Sequence, residues 1–236
     1  DLETLPGRRP VTLLGREWQF RPGAVGSRDW ERSRLAALYA LAQGDAPVVV
    51  ATADGLMART LPPETLRSLA ITLEVGGQAE LGALAEQLLS AGYTRCEQVE
   101  GVGQFALRGG ILDVFSPLMD QPVRCEFFDD EIDSMGAFDP GTQRRTRNVS
   151  SARILPAAEV LPHCAPGGLP GLADQLTALA EKLAKKQKTE AIVQTLREDA
   201  ERLRSGAAPG AADRYLAAIY PTVTAGVHYL PPNAVV

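Results

Sequence analysis

Three side chains in the middle of this 236-residue chain have the types and spacing for recognition chemistry: Arg108, Arg124 and Phe128. In the run Gln104–Arg108, read as a strand, Phe105 and Leu107 point one way and Ala106 and Arg108 the other. In Pro122–Phe128 the same alternation gives a core face of Val123, Cys125 and Phe127, and an opposite face of Arg124, Glu126 and Phe128. A guanidinium, a carboxylate and a large aromatic ring on one face allow two readings. One is an ordinary solvent-facing sheet with cross-strand pairs, for example Arg124 with an acidic neighbour. The other is a protein interface, because arginine and aromatic residues are enriched where binding energy concentrates. Residue types alone leave both open.

Other chemistries lack their residues. A phosphate-binding loop needs a Gly-Lys pair at a helix start, and the chain has none. Gly101-Val102-Gly103 lacks a third glycine at the dinucleotide offset and leads into a strand. No Gly-x-Ser-x-Gly elbow occurs. His163 and His228 have no nucleophile and acid at recognisable spacing, and His163, beside Pro162, reads as a loop residue. Cys96, Cys125 and Cys164 are widely spaced, which argues against zinc and against a disulfide framework and fits a reduced, cytoplasmic setting. The cluster Asp129, Asp130, Glu131, Asp133 lacks the alternation and central glycine of a calcium loop and reads as a hairpin turn. No metal and no cofactor are expected in this segment.

Composition narrows the class. With 45% hydrophobic and 22% charged residues, the chain is globular, and no run of 18 apolar residues could span a bilayer. A net charge of −5 argues against a free-standing nucleic-acid binder. Most cations are arginine, while Lys182, Lys185, Lys186 and Lys188 cluster late; a GC-rich genome would produce this bias without functional meaning.

The elements around the candidate residues follow from periodicity. Asp29–Gln43 reads as a helix capped by Ser27 or Asp29 and ended at Gly44-Asp45. Pro47–Val50 reads as a short buried strand, and brief helices follow over Leu56–Arg59 (capped by Thr52 or Asp54) and Glu64–Leu69. This strand–helix alternation looks like an incomplete piece of an α/β layer. In Gln78–Ser90 the residues Leu81, Leu84, Ala85, Leu88 and Leu89 make one helical stripe closed by Gly92. From Tyr93 to Pro162, β-rich runs separated by turn residues predict an antiparallel sheet with hairpins: Thr94–Glu100, Gln104–Arg108, Gly110–Ser116, Pro122–Phe128, Glu131–Phe138 and Arg144–Ile154. Leu172, Leu176, Leu179, Leu183 and then Ile192, Val193, Leu196, Leu203 predict a long helix or helical hairpin bent near the lysines. Ala212–Tyr220 should be a short helix stopped by Pro221, and Val223–Val236 an extended tail. The absent initiator methionine and the apolar end Ala234-Val235-Val236 suggest a fragment of something longer.

Gly103–Ser116 (GQFALRGGILDVFS), Arg124–Arg145 (RCEFFDDEIDSMGAFDPGTQRR) and Ile154–Pro162 (ILPAAEVLP) together resemble the signature of the bacterial transcription-repair coupling factors, the Mfd family. GREWQF at Gly15–Phe20, ERSRLAALYAL at Glu31–Leu41, DRYL at Asp213–Leu216 and the closing HYLPPNAVV extend the resemblance over essentially the whole chain, weakest across Leu172–Arg204. The resemblance implies the N-terminal module shared with the excision-repair protein UvrB: a degenerate, motor-like (RecA-like) α/β domain interrupted by a β-rich antiparallel insert that docks on UvrA. The fold class expected is therefore mixed α/β and α+β. Residues 1–70 would belong to the α/β domain, 71–155 to the insert, and 156–236 to a helical return segment with its tail.

In that family the UvrA-contacting positions map onto Arg108, Arg124 and Phe128, the residues that strand alternation directs away from the core. The resemblance implies a non-catalytic adaptor for UvrA, whose face another domain of the full-length protein covers at rest. ATP-driven translocation, DNA and RNA polymerase would be engaged by other domains, and no direct DNA binding or membrane contact is expected here. On this reading Arg108 and Arg124 pair with UvrA carboxylates, and truncating one of the three residues costs roughly 2 kcal/mol of binding. Charge reversal at Arg124 should then weaken binding and leave the thermal melt nearly unchanged. The competing resemblance is to UvrB itself, a DNA-gripping ATPase subunit. Its tyrosine-rich hairpin has no room in Leu13–Arg34, which holds Trp18, Phe20 and Trp30 but no tyrosine. A bare structural spacer is the third reading.

Overall fold

A computed structural model describes residues 10–15, 29–44, 48–185 and 190–235. It divides into two compact units, one taking in the described residues of Asp1–Arg16, Arg28–Glu159 and Ala225–Val236, the other those of Val160–Thr224. Among the described residues no helix is long and apolar enough to cross a membrane.

In the first unit, β1 (Val11–Leu13) pairs in parallel with β2 (Val49–Ala51), and the connection contains α1 (Asp29–Gln43). The expected strand near Val49 thus has a partner that three residues are too few to announce. Ser27 and the Asp29 side chain, the caps expected for α1, lie outside the described residues. Thr52 caps α2 (Ala53–Met57) by accepting from the Gly55 N–H at 3.2 Å, and Pro63 opens α3 (Pro63–Leu69).

The sheet module begins at β3 (Ile71–Glu74), which the sequence reading left between two helices. Next, α4 (Leu81–Ser90) starts three residues later than expected because Glu80 caps it, accepting from the N–H groups of Gly82 (2.8 Å) and Ala83 (2.6 Å). Gly92, at φ 86, ends the helix as expected, with the Tyr93 N–H returning to Leu88 O at 3.0 Å. Glu80→Ala is expected to cost about 1 kcal/mol, read as a lower urea midpoint at unchanged slope.

Six strands follow in sequential order: β4 (Thr94–Arg95), β5 (Gln104–Arg108), β6 (Ile111–Val114), β7 (Val123–Phe128), β8 (Glu131–Phe138) and β9 (Arg145–Asn148). All pairings are antiparallel except β4–β5. Two expectations are corrected. Only Thr94–Arg95 of Thr94–Glu100 is a strand; the rest is a loop that buries Val99 completely. The run Arg144–Ile154 is two strands, because the chain leaves β9 and continues as β10 (Ser151–Ile154), which pairs with β3 instead. Leu84, Ala85 and Leu88 of α4 join Phe105, Leu112, Val114, Val123, Cys125, Ile132 and Met135 in the main core of this module. There burial pushes the Cys125 thiol up to about 12.

In the second unit, α5 (Gly168–Ala184) and α6 (Glu190–Arg204) pack as a helical hairpin; Lys186 and Lys188 lie outside the described residues. The buried stripe of α5 runs through Leu169, Leu172, Ala173, Leu176 and Ala180, so Leu179 faces outward, and Ile192 of α6 does too. Ala212–Tyr215 is a 3₁₀ turn leading into α7 (Leu216–Ile219). The tail from Ala225 onward, part of the first unit, is not the expected extended segment: after one bridge from Ala225 to Arg59 it turns as a 3₁₀ helix over Gly226–Tyr229, and the Tyr229 hydroxyl donates to Leu61 O at 2.9 Å.

Candidate docking face on the six-stranded sheet

The hairpin at Gly109-Gly110 sets Arg108 opposite Ile111 and Ala106 opposite Asp113. Gly109, at φ 58, supplies the left-handed backbone that a two-residue connection requires. The β6–β7 register then sets Asp113 opposite Arg124, and β7–β8 sets Arg124 opposite Gly136. Ala106, Asp113, Arg124 and Gly136 therefore form one row on the face away from α4.

That face is not simply solvated. Ala106 packs with Val99, Phe115 and Phe138 into a second, smaller core. Asp113 has no exposed surface and holds both arginines. Arg124 grips it with two bonds, Nε to Oδ1 at 2.7 Å and Nη2 to Oδ2 at 2.8 Å, and Arg108 adds Nη2 to Oδ2 at 2.7 Å. The fork of Arg124 also lies over the Phe138 ring, 4.7 Å from its centroid, and its Nη2 reaches Gln143 Oε1 at 3.3 Å. The Asp113 carboxylate raises the Arg124 guanidinium above its ordinary value.

The candidate residues thus have different situations. Arg108 and Arg124 meet on one carboxylate, with side chains 48% and 22% exposed. Phe128 is on the same face, four residues along β7 from Arg124 or about 13 Å by strand rise. It is 76% exposed and stands beside the Asp129-Asp130 turn, where Asp129 takes φ 53. Asp129 and Asp130 form a hairpin turn, as their types suggest.

Asp113 bears against the expectation that charge reversal at Arg124 would spare the fold. Arg124 neutralises a buried carboxylate within its own sheet, so its removal is expected to disturb folding. Asp113 is the residue that sequence reasoning missed, although a signal existed. With Gly109-Gly110 as a two-residue turn, counting back from the turn places Asp113 on the face of Arg108.

Comparison with known proteins agrees with this architecture. Residues 71–160 match the family described as "UvrB interaction domain". The chain is 32% identical over 213 residues to the transcription-repair-coupling factor of Bacillus subtilis, covering 89% of the chain and 18% of that protein. It is 39% identical over 176 residues to that of Myxococcus xanthus (73% of the chain, 14% of the relative). It is also 39% identical over 145 residues to that of Escherichia coli (61% and 13%). The chain therefore spans less than one fifth of these relatives' length. Mixed helix and antiparallel sheet, with the matched sheet module at its centre, lead to one conclusion: residues 71–160 match the UvrB interaction domain family, within a chain homologous to a segment of the bacterial transcription-repair-coupling factors.

Proposed function

We propose that this chain is a non-catalytic docking module that recruits UvrA during transcription-coupled nucleotide excision repair, through the β5–β8 face bearing Arg108, Arg124 and Phe128. The observation that carries the reading is a preorganised pair of arginines on a buried carboxylate, flanked by an aromatic ring with 76% of its surface exposed. Such a ring gains from burial only when a partner covers it, and arginines held in place lose little side-chain entropy on docking. Resemblance to the transcription-repair-coupling factors supplies the partner's name. The motor, the DNA contacts and the RNA polymerase contacts of the full-length protein belong outside this segment. Intramolecular covering of the same face would regulate recruitment.

Titrating cognate UvrA onto immobilised chain tests the proposal. Phe128→Ala should weaken affinity by about 2 kcal/mol, roughly thirtyfold, with a melt unchanged within about 0.5 kcal/mol. Unchanged affinity for Phe128→Ala and Arg108→Ala would remove the docking reading. ATP hydrolysis or a duplex-DNA shift by the isolated chain would favour the DNA-gripping alternative.

A further inference from the structure

We propose that Arg145 is a third recognition guanidinium of the same face, contributed by β9, and that it receives a carboxylate of the docking partner. The inference rests on the docking reading above and extends it to a residue outside the recognised trio.

Four observations bring Arg145 to this position. First, the β8–β9 ladder slips between Ala137 and Phe138, pairing Ala137 with Arg147 and Phe138 with Arg145. Thr146 is left over at the slip, held by Gln121 Oε1 at 2.8 Å and Ala137 O at 3.1 Å. An irregularity of this kind re-aims the neighbouring side chain. Second, the side chain runs across Gly136, the residue opposite Arg124. A Cβ at position 136 would overlap Nε of Arg145, so glycine is what lets the guanidinium lie there. Third, its bonds are weak: Nη1 and Nη2 reach only Ser134 Oγ, at 3.5 and 3.4 Å, while Ser134 gives its own proton to Glu126 Oε2 at 2.8 Å. Fourth, Arg145 is exposed and makes no ion pair with a described carboxylate.

The chemistry of the occupant follows from charge. Arg108 and Arg124 are committed to Asp113, and Glu126 and Glu131 lie on the same face, Glu126 accepting from Ser134, so the open cationic donors of this patch are those of Arg145. Asp113 uses two donors of Arg124 and one of Arg108, whereas Arg145 retains nearly its full fork. A planar fork with unused donors suits bidentate capture of a carboxylate. The partner surface facing β8 and β9 is therefore acidic, and Arg145 sets the register in which it docks.

UvrA titrations at low and high salt, with wild-type chain, Arg145→Gln, Arg145→Glu and Phe128→Ala, test this. Arg145→Gln should weaken binding roughly tenfold, and Arg145→Glu further, with the deficit of the charge-reversed variant shrinking as salt rises. Neither should move the melt appreciably, since the side chain is exposed. Wild-type affinity for both Arg145 variants, with binding lost in Phe128→Ala, would overturn the role of Arg145 and leave the docking reading standing. Wild-type affinity in all three variants, or no binding by wild type, would overturn both. A duplex-DNA shift abolished by Arg145→Glu, with UvrA affinity intact, would assign the guanidinium to phosphate and overturn the inference too.

Discussion

Arg124→Glu is expected to destabilise the sheet module by about 3 kcal/mol, the scale for breaking one partner of a buried charge pair. The substitution would remove two short bonds to Asp113 and bring a second carboxylate toward it. Asp113 is fully buried, and its remaining partner Arg108 is half-exposed and makes a single bond. Solvent relieves some of the repulsion, because the Arg124 side chain is 22% exposed, and this keeps the figure at the lower end of the range. The stack on Phe138 is lost at the same time. Arg108→Ala, by contrast, should cost no more than about 1 kcal/mol, since Arg124 keeps the carboxylate bidentate. Urea unfolding of the two variants side by side measures the difference, and a melt unchanged in Arg124→Glu would refute it. The consequence for function is practical. Lost binding in an Arg124 variant mixes contact with folding, Arg108 does so to a smaller extent, and Phe128 reports on docking alone.

Glu159→Ala should be as damaging, at about 4 kcal/mol, in a part of the same unit remote in sequence from β7. Arg34 and Glu159 are 1% and 0% exposed and bond through Nε at 3.0 and 3.2 Å. The Arg34 Nη1 group also donates to Leu14 O at 2.6 Å and Gly55 O at 3.2 Å. Glu159 accepts from the Thr60 hydroxyl, and its backbone N–H donates to Glu31 Oε1 at 2.7 Å. Deleting the carboxylate strands a guanidinium where water does not reach and frees carbonyl-bound donors to shift. The double variant Arg34→Met/Glu159→Leu should lose clearly less than the sum of the single variants, because the stranded charge goes with its partner. Urea midpoints for both singles and the double close this cycle. A single Glu159→Ala loss below about 1 kcal/mol would mean that the pair is dispensable.

Much of the β module was legible because its turns are written in residues with one conformational use. Gly109-Gly110 and Asp129-Asp130 mark two-residue hairpins, and alternation then assigns Arg108, Arg124 and Phe128 to one face. The stripe of α4 and its Gly92 stop were equally plain. Elements of three or four residues were not. β1 and β3 carry too few side chains to establish a period, and each becomes a strand only by pairing with β2 or β10. The loop after Arg95 has strand-like residues, yet beyond the bond from the Cys96 N–H to Phe105 O at 2.9 Å it leaves the ladder. Leu179 and Ile192 continue an apolar pattern yet face outward, since α5 and α6 bury the stripes through Leu172, Leu176 and Ala180 and through Val193, Leu196 and Ala200 instead.

The chain's own order of residues determined which side chains share a face, because alternation along a strand and tight turns are local properties. It also lacks the adjacent Gly-Lys pair of a phosphate-binding loop. Only the tertiary structure decided which charges meet. Asp113 reaches Arg124 through a register set by the connection from Phe115 to Pro122, and Arg145 lies over Gly136 through a slip in the β8–β9 ladder. Coulomb energy depends on separation and on burial, and strand order and register fix both. The same arginine that looks free in one dimension is therefore half the neutralisation of a buried acid in three.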